Sequence, residues 1–364
     1  MNEQLKTARA RIDALDEQIQ GLIAERARVA QDVRDIKLKS GAVGDHYRPA
    51  READVLRRAI ERNRQLKSPL ADEVMARVMR EIMSACLALE SPLAVSYLGP
   101  EGTYTQAAVY KHFGHQVAAR AAAAIDEIFR DVESGSATYG VVPIENSTEG
   151  VVTSTLDELA NTPLSICGEV WLPVHHQLLS MHERIDQVRM VISHPQSLAQ
   201  CRRWLDAKLP NVPRATVNSN GLAAKQVAET GQGAAIASAA AGELYGLKVL
   251  ASNIEDDPNN TTRFLIIGRH NPEATGQDRT SLVCSASQGG EAGALFRLLE
   301  PFARGGVNLS KIESRPSRRG LWDYNFFVDL EGHRDEPKVS AALDEVRARS
   351  AFFKILGSYP RAVV

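Results

Sequence analysis

Apolar residues recur at Ile12, Leu15, Ile19, Leu22, Val29, Val33 and Ile36, in steps of three, four and seven. They lie in a proline-free segment from Leu5 to about Lys39. This is the seven-residue seam of a coiled coil, and it predicts one helix of about 34 residues, about 50 Å long. One small domain cannot cover such a seam, so the pattern calls for a partner helix from a second subunit. The seam position missing between Leu22 and Val29 is Arg26, and a guanidinium buried there needs an anionic partner. Lys37 lies about 20° from the same line, whereas Arg9 lies about 100° off it and is placed for a site shared with another chain.

Pro49, after Tyr47-Arg48, is set to open a second helix, in which Glu52 shares a face with Leu56, Ala59 and Ile60. Pro69 begins a third, with Met79, Ile82, Cys86 and Glu90 on one face. Three helices thus turn cations, two carboxylates and a small polar group inward. That set suits a small dry pocket for a dianion with one bond to be polarised.

After Ser91-Pro92 the period changes. Strands are predicted at 95–98, 139–143, 166–174, 188–193, 234–237 and 264–267, with helices between them, including one at 125–133. Alternation on this scale implies an α/β layer fold of two lobes around a cleft. Polar residues gather near the strand ends: Thr103, Thr105, Asn146, Ser147, Thr148, His194, Gln196 and Ser197. The stretch IEDDPNNTTRFLII (254–267) runs an acidic, amide-rich loop through two threonines and an arginine into a buried strand, which is where a rigid scaffold delivers functional groups. Pro272 to Asp278 reads as a linker. The last 80 or so residues then give strands at 280–287, 307–315, 323–330 and 352–359 with helices at 293–304 and 336–349. That order, βαββαβ, is ferredoxin-like, and without a catalytic constellation it suggests a binding role.

A chain of 364 residues suggests two or three domains. Its net charge of −2 gives no reason to expect nucleic acid or an anionic membrane as partner. The apolar runs fall short of a membrane span, the N-terminus has no signal core, and Cys86, Cys167, Cys201 and Cys284 are isolated; a cytoplasmic protein with reduced thiols is expected. His175-His176 lacks metal-ligand spacing, no nucleophile turn is evident, and no cofactor or metal is called for. This inventory favours acid-assisted elimination over covalent catalysis.

TARARIDALDEQIQGLIAERARVAQDVRDIK followed by YRPAREADVL resembles the all-helical chorismate mutase domain of bifunctional P-proteins, an intertwined dimer. The resemblance implies that Arg9 (from the partner subunit) and Arg26 hold the carboxylates of chorismate. Lys37 and Glu90 then serve its ether oxygen, Glu52 takes the hydroxyl, and Arg48 and Cys86 line the pocket. Arg48, Cys86 and Glu90 stand where one well-known form of the motif has Asp, Ser and Gln. An ionised carboxylate cannot donate a hydrogen bond, so Glu90 is expected to act in its protonated form.

YLGPEGTYT, GVVPIENSTEG, SHPQSLAQC and TTRFLIIG are similar, in order and spacing, to prephenate dehydratase, whose bilobal α/β domain is like the type II periplasmic binding proteins. The implied reaction turns prephenate into phenylpyruvate, with Thr262 essential, Thr103, Asn146, Ser147, Thr148 and Gln196 lining the cleft, and Arg263 holding a carboxylate. Aromatisation drives that reaction, so the enzyme need only bind the dianion and serve the leaving hydroxyl. GALF and ESRP resemble the two motifs of the ACT regulatory domain. They imply L-phenylalanine bound between paired ACT domains through Gly293, Ala294, Leu295, Glu313, Ser314, Arg315 and Pro316, although Gly290-Glu291-Ala292 replaces the usual Asn-x-Pro. The expected boundaries are 1–91 for the mutase, 92–270 for the dehydratase, 271–279 for a linker and 280–364 for the ACT domain. Two other readings are a dehydratase that prefers arogenate and a non-catalytic two-lobed sensor.

Overall fold

Three helices form the N-terminal part: α1 (Glu3–Lys39), α2 (Pro49–Gln65) and α3 (Asp72–Glu90). The computed structural model describes residues 3–39, 47–286, 292–317 and 324–363; Ser40, Gly41, Ser287, Gly290, Glu291 and Asp323, named above, lie outside them. Every residue of α1 from Glu3 to Glu25 is exposed, including the seam residues Ile12 at 55% and Leu22 at 65%. Pro49 stands in the first turn of α2, as its fixed φ favours. The turn into α3 is held by Asn63, whose Nδ2 donates to the Leu70 carbonyl at 3.0 Å and to Asp72 at 2.9 Å. The Asn63 and Arg64 bonds hold the Asp72 carboxyl below the usual range. Contacts divide the chain into a helical unit of residues 1–48, 55–93 and 113–118 and an α/β unit of residues 49–54, 94–112 and 119–364.

In the α/β unit the first lobe is built from β1 (Ala94–Leu98), α4 (Tyr104–Phe113), β2 (Ala118–Ala122), α5 (Ile125–Ser134), β3 (Tyr139–Asn146), β4 (Gly150–Val151), α6 (Thr153–Asn161) and β5 (Ser165–Pro173). The chain then crosses to the second lobe: β6 (Gln177–Ser180), β7 (Val191–Ser193), α7 (Pro195–Gln200), α8 (Arg202–Lys208), β8 (Arg214–Thr216), α9 (Asn220–Thr230), β9 (Ala234–Ala237), α10 (Ala239–Tyr245) and β10 (Lys248–Ala251). It returns through β11 (Thr261–Gly268), which inserts antiparallel between β3 and β5. The strand orders are β2-β1-β3-β11-β5, with β4 on β3, and β10-β6-β9-β7-β8. Only two segments join the lobes, 174–176 and 252–260, the arrangement of a hinged cleft.

The C-terminal part is β12 (Asp278–Ala286), α11 (Ala294–Arg304), β13 (Leu309–Pro316), β14 (Tyr324–Glu331), α12 (Pro337–Arg349) and β15 (Ser350–Pro360), with sheet order β13-β14-β12-β15. One face of this sheet buries Leu282, Cys284, Val328 and Leu330 under its two helices. The other face sends Val283, Phe327, Leu356 and Tyr359 into one core with Ile144, Ile166, Leu265 and Ile267 of the first lobe. Gly357 permits that approach, because a Cβ there would collide with the Ile166 backbone. The expected linker is tied down: Asp278 accepts from the Thr275 and Gly276 backbone at 2.7 and 2.9 Å, and the His333 ring bonds the Pro272 carbonyl at 3.1 Å.

Candidate functional site

In the helical unit Lys37 ends α1 and Glu90 ends α3, and their charged atoms lie 3.6 Å apart. Beside them Arg34 reaches the Leu89 carbonyl at 3.2 Å. Cys86 is buried one turn before Glu90. Arg26 is half-buried further up α1, Arg9 lies on the wholly exposed stretch, and Arg48 is exposed at the N-cap of α2. Glu52 is half-buried in the first turn of α2. The single helical unit therefore brings Lys37 and Glu90 together.

In the α/β unit the site is organised by β3 and β11, whose register puts Asn146 opposite Thr262. The pairing shifts between Arg263 and Phe264, an irregularity of the kind found beside active sites. Past it, the Asn146 amide donates to Thr262 Oγ1 at 2.8 Å and to Asn260 Oδ1 at 2.7 Å. Its orientation is fixed from behind, because Asn146 Oδ1 accepts the Thr148 and Glu149 backbone N–H at 3.0 and 3.2 Å and the Thr148 hydroxyl at 2.6 Å. A turn in the ENST stretch thus folds onto its own asparagine. Thr262 receives a hydrogen bond on oxygen, which leaves its own O–H proton for another acceptor.

Gln200, at the end of α7, brings the second lobe to this point. Its Nε2 donates to Thr148 Oγ1 at 3.0 Å and to Glu149 at 3.4 Å, and its Oε1 accepts from Asn260 at 3.2 Å. Both crossing segments contribute. The His176 ring meets Gln200 Oε1 at 3.0 Å and the Tyr104 hydroxyl at 2.9 Å. Glu255 binds the His175 ring at 2.7 Å and the His176 N–H at 2.8 Å. Burial lowers the His176 pKa and raises that of Tyr104. Burial also pushes the Glu255 carboxyl up, but the bonds from His175 and the His176 N–H outweigh it and leave the group below its usual value.

Of the expected residues, Thr262, Asn146 and Thr148 meet. Ser147 joins at the edge, accepting the Thr261 N–H at 3.0 Å. Thr103 spends its hydroxyl on the Leu98 carbonyl at 3.1 Å, at the mouth of α4. Gln196 sits in the first turn of α7, its backbone capped by His194, and it is Gln200, one turn on, that reaches the cluster. Asn260 belongs to the amide-rich loop singled out in the sequence, whereas Gln200, His176 and Tyr104 carry no expectation for this site.

Arg263 requires correction. Successive strand residues face opposite ways, so Arg263 points away from Thr262, into the junction with the C-terminal sheet. It is almost fully buried there. It bonds Glu169 at 2.8 Å, Glu145 at 3.0 Å, Asp329 at 2.6 Å and the Tyr359 hydroxyl at 2.9 Å, and it lies 5.6 Å over the Trp171 ring. Arg279 adds to Glu169 and Lys311 to Glu145. A guanidinium so committed does not hold a carboxylate in the Thr262 cleft. Burial would lower the Arg263 pKa, but Tyr359, Asp329 and Glu169 together raise it.

The expected effector residues divide likewise. Gly293 caps α11 with φ of 79°, a left-handed conformation suited to glycine, and Ala294 and Leu295 begin the helix. On β13, Lys311, Glu313 and Arg315 alternate with the more exposed Ser314 and Pro316. Arg315 is paired with both oxygens of Asp157 on α6, at 2.9 and 3.0 Å, so it bridges to the first lobe.

Comparison with known proteins agrees with this organisation. The family described as chorismate mutase type II matches residues 8–91, prephenate dehydratase 95–272 and the ACT domain 287–348. The bifunctional chorismate mutase/prephenate dehydratase of Stutzerimonas stutzeri is 51% identical over 366 residues, covering 100% of this chain and 99% of its own. Arogenate dehydratase 4 of Arabidopsis thaliana is 38% identical over 74% of this chain and 68% of its own. A crystal structure of prephenate dehydratase from Arthrobacter aurescens in complex with L-Phe superimposes with a TM-score of 0.69 at 35% identity, over 74% of this chain and 90% of that one.

Proposed function

We propose the following division of labour for this chain, which belongs to the family of bifunctional chorismate mutase/prephenate dehydratases. It rearranges chorismate to prephenate, converts prephenate to phenylpyruvate, and is feedback-inhibited by L-phenylalanine. In the mutase site Lys37 and Glu90 serve the ether oxygen that gains charge as its C–O bond breaks. Arg26 and Arg9 hold carboxylates, Glu52 takes the hydroxyl, and Arg48 and Cys86 line the pocket. Arg9 acts in the site of a second copy, because the exposed stripe Ile12, Leu15, Ile19 and Leu22 fits the same helix of another chain, and the protein works as a homodimer or larger assembly.

In the dehydratase site Thr262 donates to the departing ring hydroxyl while CO2 leaves and the ring becomes aromatic. The observation that supports this role is the Asn146–Thr262 hydrogen bond. It polarises the threonine and turns its proton outward, and hydrogen bonds in series strengthen one another. Ser147 and Thr148 shape the wall, with Thr103 and Gln196 at its rim. Loss of one such donor costs on the order of 10²–10³ in turnover, so Thr262→Ala is expected to lower dehydratase kcat by that factor and leave mutase turnover unchanged. Dehydration kept within a few-fold would sink the assignment. The similarity to an arogenate dehydratase favours one second reading, which relative turnover of arogenate and prephenate decides.

Phenylalanine binds at the start of α11, through Gly293, Ala294 and Leu295, with Ser314 and Pro316 from β13, at a face shared with a second ACT domain. Phe296 is 69% exposed there, and Ile312 and Tyr324 of the same domain are exposed too. Glu313 and Arg315 act behind that face. We infer that inhibition travels through the grip of the C-terminal sheet on the first lobe: Arg315 on Asp157, Lys354 on the last carbonyls of α6, and Asp329 on Arg263.

A further inference from the structure

We propose that His176 and Tyr104 are positioning residues for the dehydration, holding Gln200 of the second lobe in a directed hydrogen-bond chain that ends on the Thr262 oxygen. The proposal rests on the reading of Thr262 given above and goes beyond it, since neither residue belongs to the strands that carry the reacting group.

The direction of the chain follows from groups that cannot turn round. The Thr148 and Glu149 backbone N–H groups both point at Asn146 Oδ1, so Asn146 presents its nitrogen to Thr262 and to Asn260. Asn260 therefore uses its oxygen on Asn146 and offers its nitrogen to Gln200, which must show its oxygen. The Glu149 carboxylate confirms that choice, since it only accepts and it faces the Gln200 nitrogen at 3.4 Å. An amide oxygen cannot donate, so the His176 Nε2 at 3.0 Å from it carries a proton. The opposite nitrogen, Nδ1, lies 2.9 Å from the Tyr104 hydroxyl, which also reaches the His175 carbonyl at 2.8 Å.

The one Tyr104 proton is shared between the His175 carbonyl and His176 Nδ1, and the donors from there run His176 to Gln200, Gln200 to Thr148, Thr148 to Asn146 and Asn146 to Thr262. Every bond points towards the threonine. Amides donate and accept without releasing a proton at neutral pH, so this chain polarises Thr262 as a hydrogen-bond donor and fixes its place, while the hydroxyl departs with its bonding pair as hydroxide and takes its proton from solvent. Its course through the fold explains what His176 contributes. Tyr104 starts α4 in the first lobe, His176 lies on the first crossing segment, and Gln200 ends α7 in the second lobe. The imidazole thus sets the distance at which the second lobe meets the Asn146 turn, with its backbone N–H and the neighbouring His175 ring held by Glu255 of the other crossing. Desolvation of this buried ring favours the neutral form that the chain requires.

The test uses the full-length protein, with steady-state dehydration of prephenate. His176→Leu removes the donor to Gln200 and is expected to lower kcat about 10- to 100-fold, with KM changed less than about threefold. His176→Gln places an N–H near the former Nε2 and is expected to recover most of that loss. Tyr104→Phe should lower kcat about tenfold. Turnover of His176→Leu within twofold of the parent, or a Gln variant as impaired as the Leu variant, overturns the proposal. Nitrogen-15 spectra of the histidine-labelled parent protein add a readout independent of mutation. They should show His176 neutral with its proton on Nε2 at neutral pH, and a proton on Nδ1 instead refutes the chain. Thr262→Ala run in parallel separates the two ideas. If that variant is inactive and His176→Leu is not impaired, the positioning role alone falls; if Thr262→Ala stays active, the role of Thr262 falls.

Discussion

Glu169 is the charge on which the junction between the first lobe and the C-terminal sheet most depends. It lies on β5 with its side chain 1% exposed, and it accepts from Arg263 on β11 and Arg279 on β12. A third bond comes from the Ala362 N–H at 3.2 Å. The cluster around it sets Arg263, Arg279 and Lys311 against Glu145, Glu169 and Asp329, so its charges cancel. Glu169→Gln keeps the shape and removes one charge, leaving two buried guanidiniums to share what remains. It also turns an amide N–H2 or a weaker acceptor toward them. Breaking a buried pair from one side costs about 3–5 kcal/mol, because the other charge is left without compensation. For a unit of this size each kcal/mol moves the melting temperature by about 2–4 °C, so calorimetry on the full chain should show the α/β transition fall by about 6–20 °C. Adding Arg279→Met removes one orphaned cation and should return at least about 1 kcal/mol of that loss, as coupled neighbours do in a double-mutant cycle. A loss below about 1 kcal/mol for Glu169→Gln, or strict additivity with Arg279→Met, would show that the cluster is solvated well enough to make its pairing irrelevant.

Three other outcomes follow from the same structure. Burial acts to raise the Glu145 pKa, but the Lys311 and Arg263 bonds outweigh it and leave the net shift downward. Its stabilising contribution is therefore complete above the unfolded value of about 4.3 and lost as pH falls through the lower folded one. Acid unfolding of the parent below about pH 4 should lose its Glu145-dependent part in Glu145→Gln, and identical acid profiles would refute it. Glu90→Gln should keep mutase turnover, followed by chorismate absorbance; a loss of more than about tenfold would count against a hydrogen-bonding role for the residue at 90. Ile12→Glu with Ile19→Glu should dissociate the assembly in sedimentation velocity and lower mutase activity while sparing dehydration. If the double variant sediments like the parent, the exposed stripe is not a subunit seam.

What the sequence disclosed depended on how strong each pattern was. The heptad seam, the βαββαβ order and the strand at 234–237 were legible because long periodic or uniformly apolar runs have one reading. The edge strands β2 and β10 were not: AARAA carries no β-branched residue, and Lys248–Ala251 buries little of itself. β8 has three residues, too few for a period to emerge. In the site, Asn146 and Thr148 could be named because polar residues at a strand end need a reason to be there, whereas Thr262 rests on the resemblance of TTRFLIIG to prephenate dehydratase. Gln200 was hidden by an inference that stopped at Gln196, although positions 196 and 200 share a helical face. Metal-ligand spacing is the test that His175-His176 offers in sequence, and a hydrogen-bonding role leaves no spacing to detect. Strand alternation alone sends the Arg263 side chain to the face opposite Thr262.

That alternation has a consequence for control. Thr262 meets the Asn146 turn on one face of β11, and Arg263 meets Asp329 and Tyr359 of the C-terminal sheet on the other. A packed, charge-balanced cluster does not deform smoothly, because a guanidinium that loses one carboxylate must find another or remain uncompensated. Any shift of β14 large enough to part Asp329 from Arg263 therefore has to be absorbed by β11 or by Glu145, the residue next to Asn146 on β3 and opposite Arg263 in the ladder. The same C-terminal sheet holds α6, which follows the Asn146 turn, at Asp157 and at its last carbonyls. An effector acting on that sheet thus reaches both strands that bear Asn146 and Thr262 and the helix behind their turn. It can alter the Asn146–Thr262 distance without approaching the cleft, and a hydrogen bond of 2.8 Å tolerates a few tenths of an ångström before it weakens.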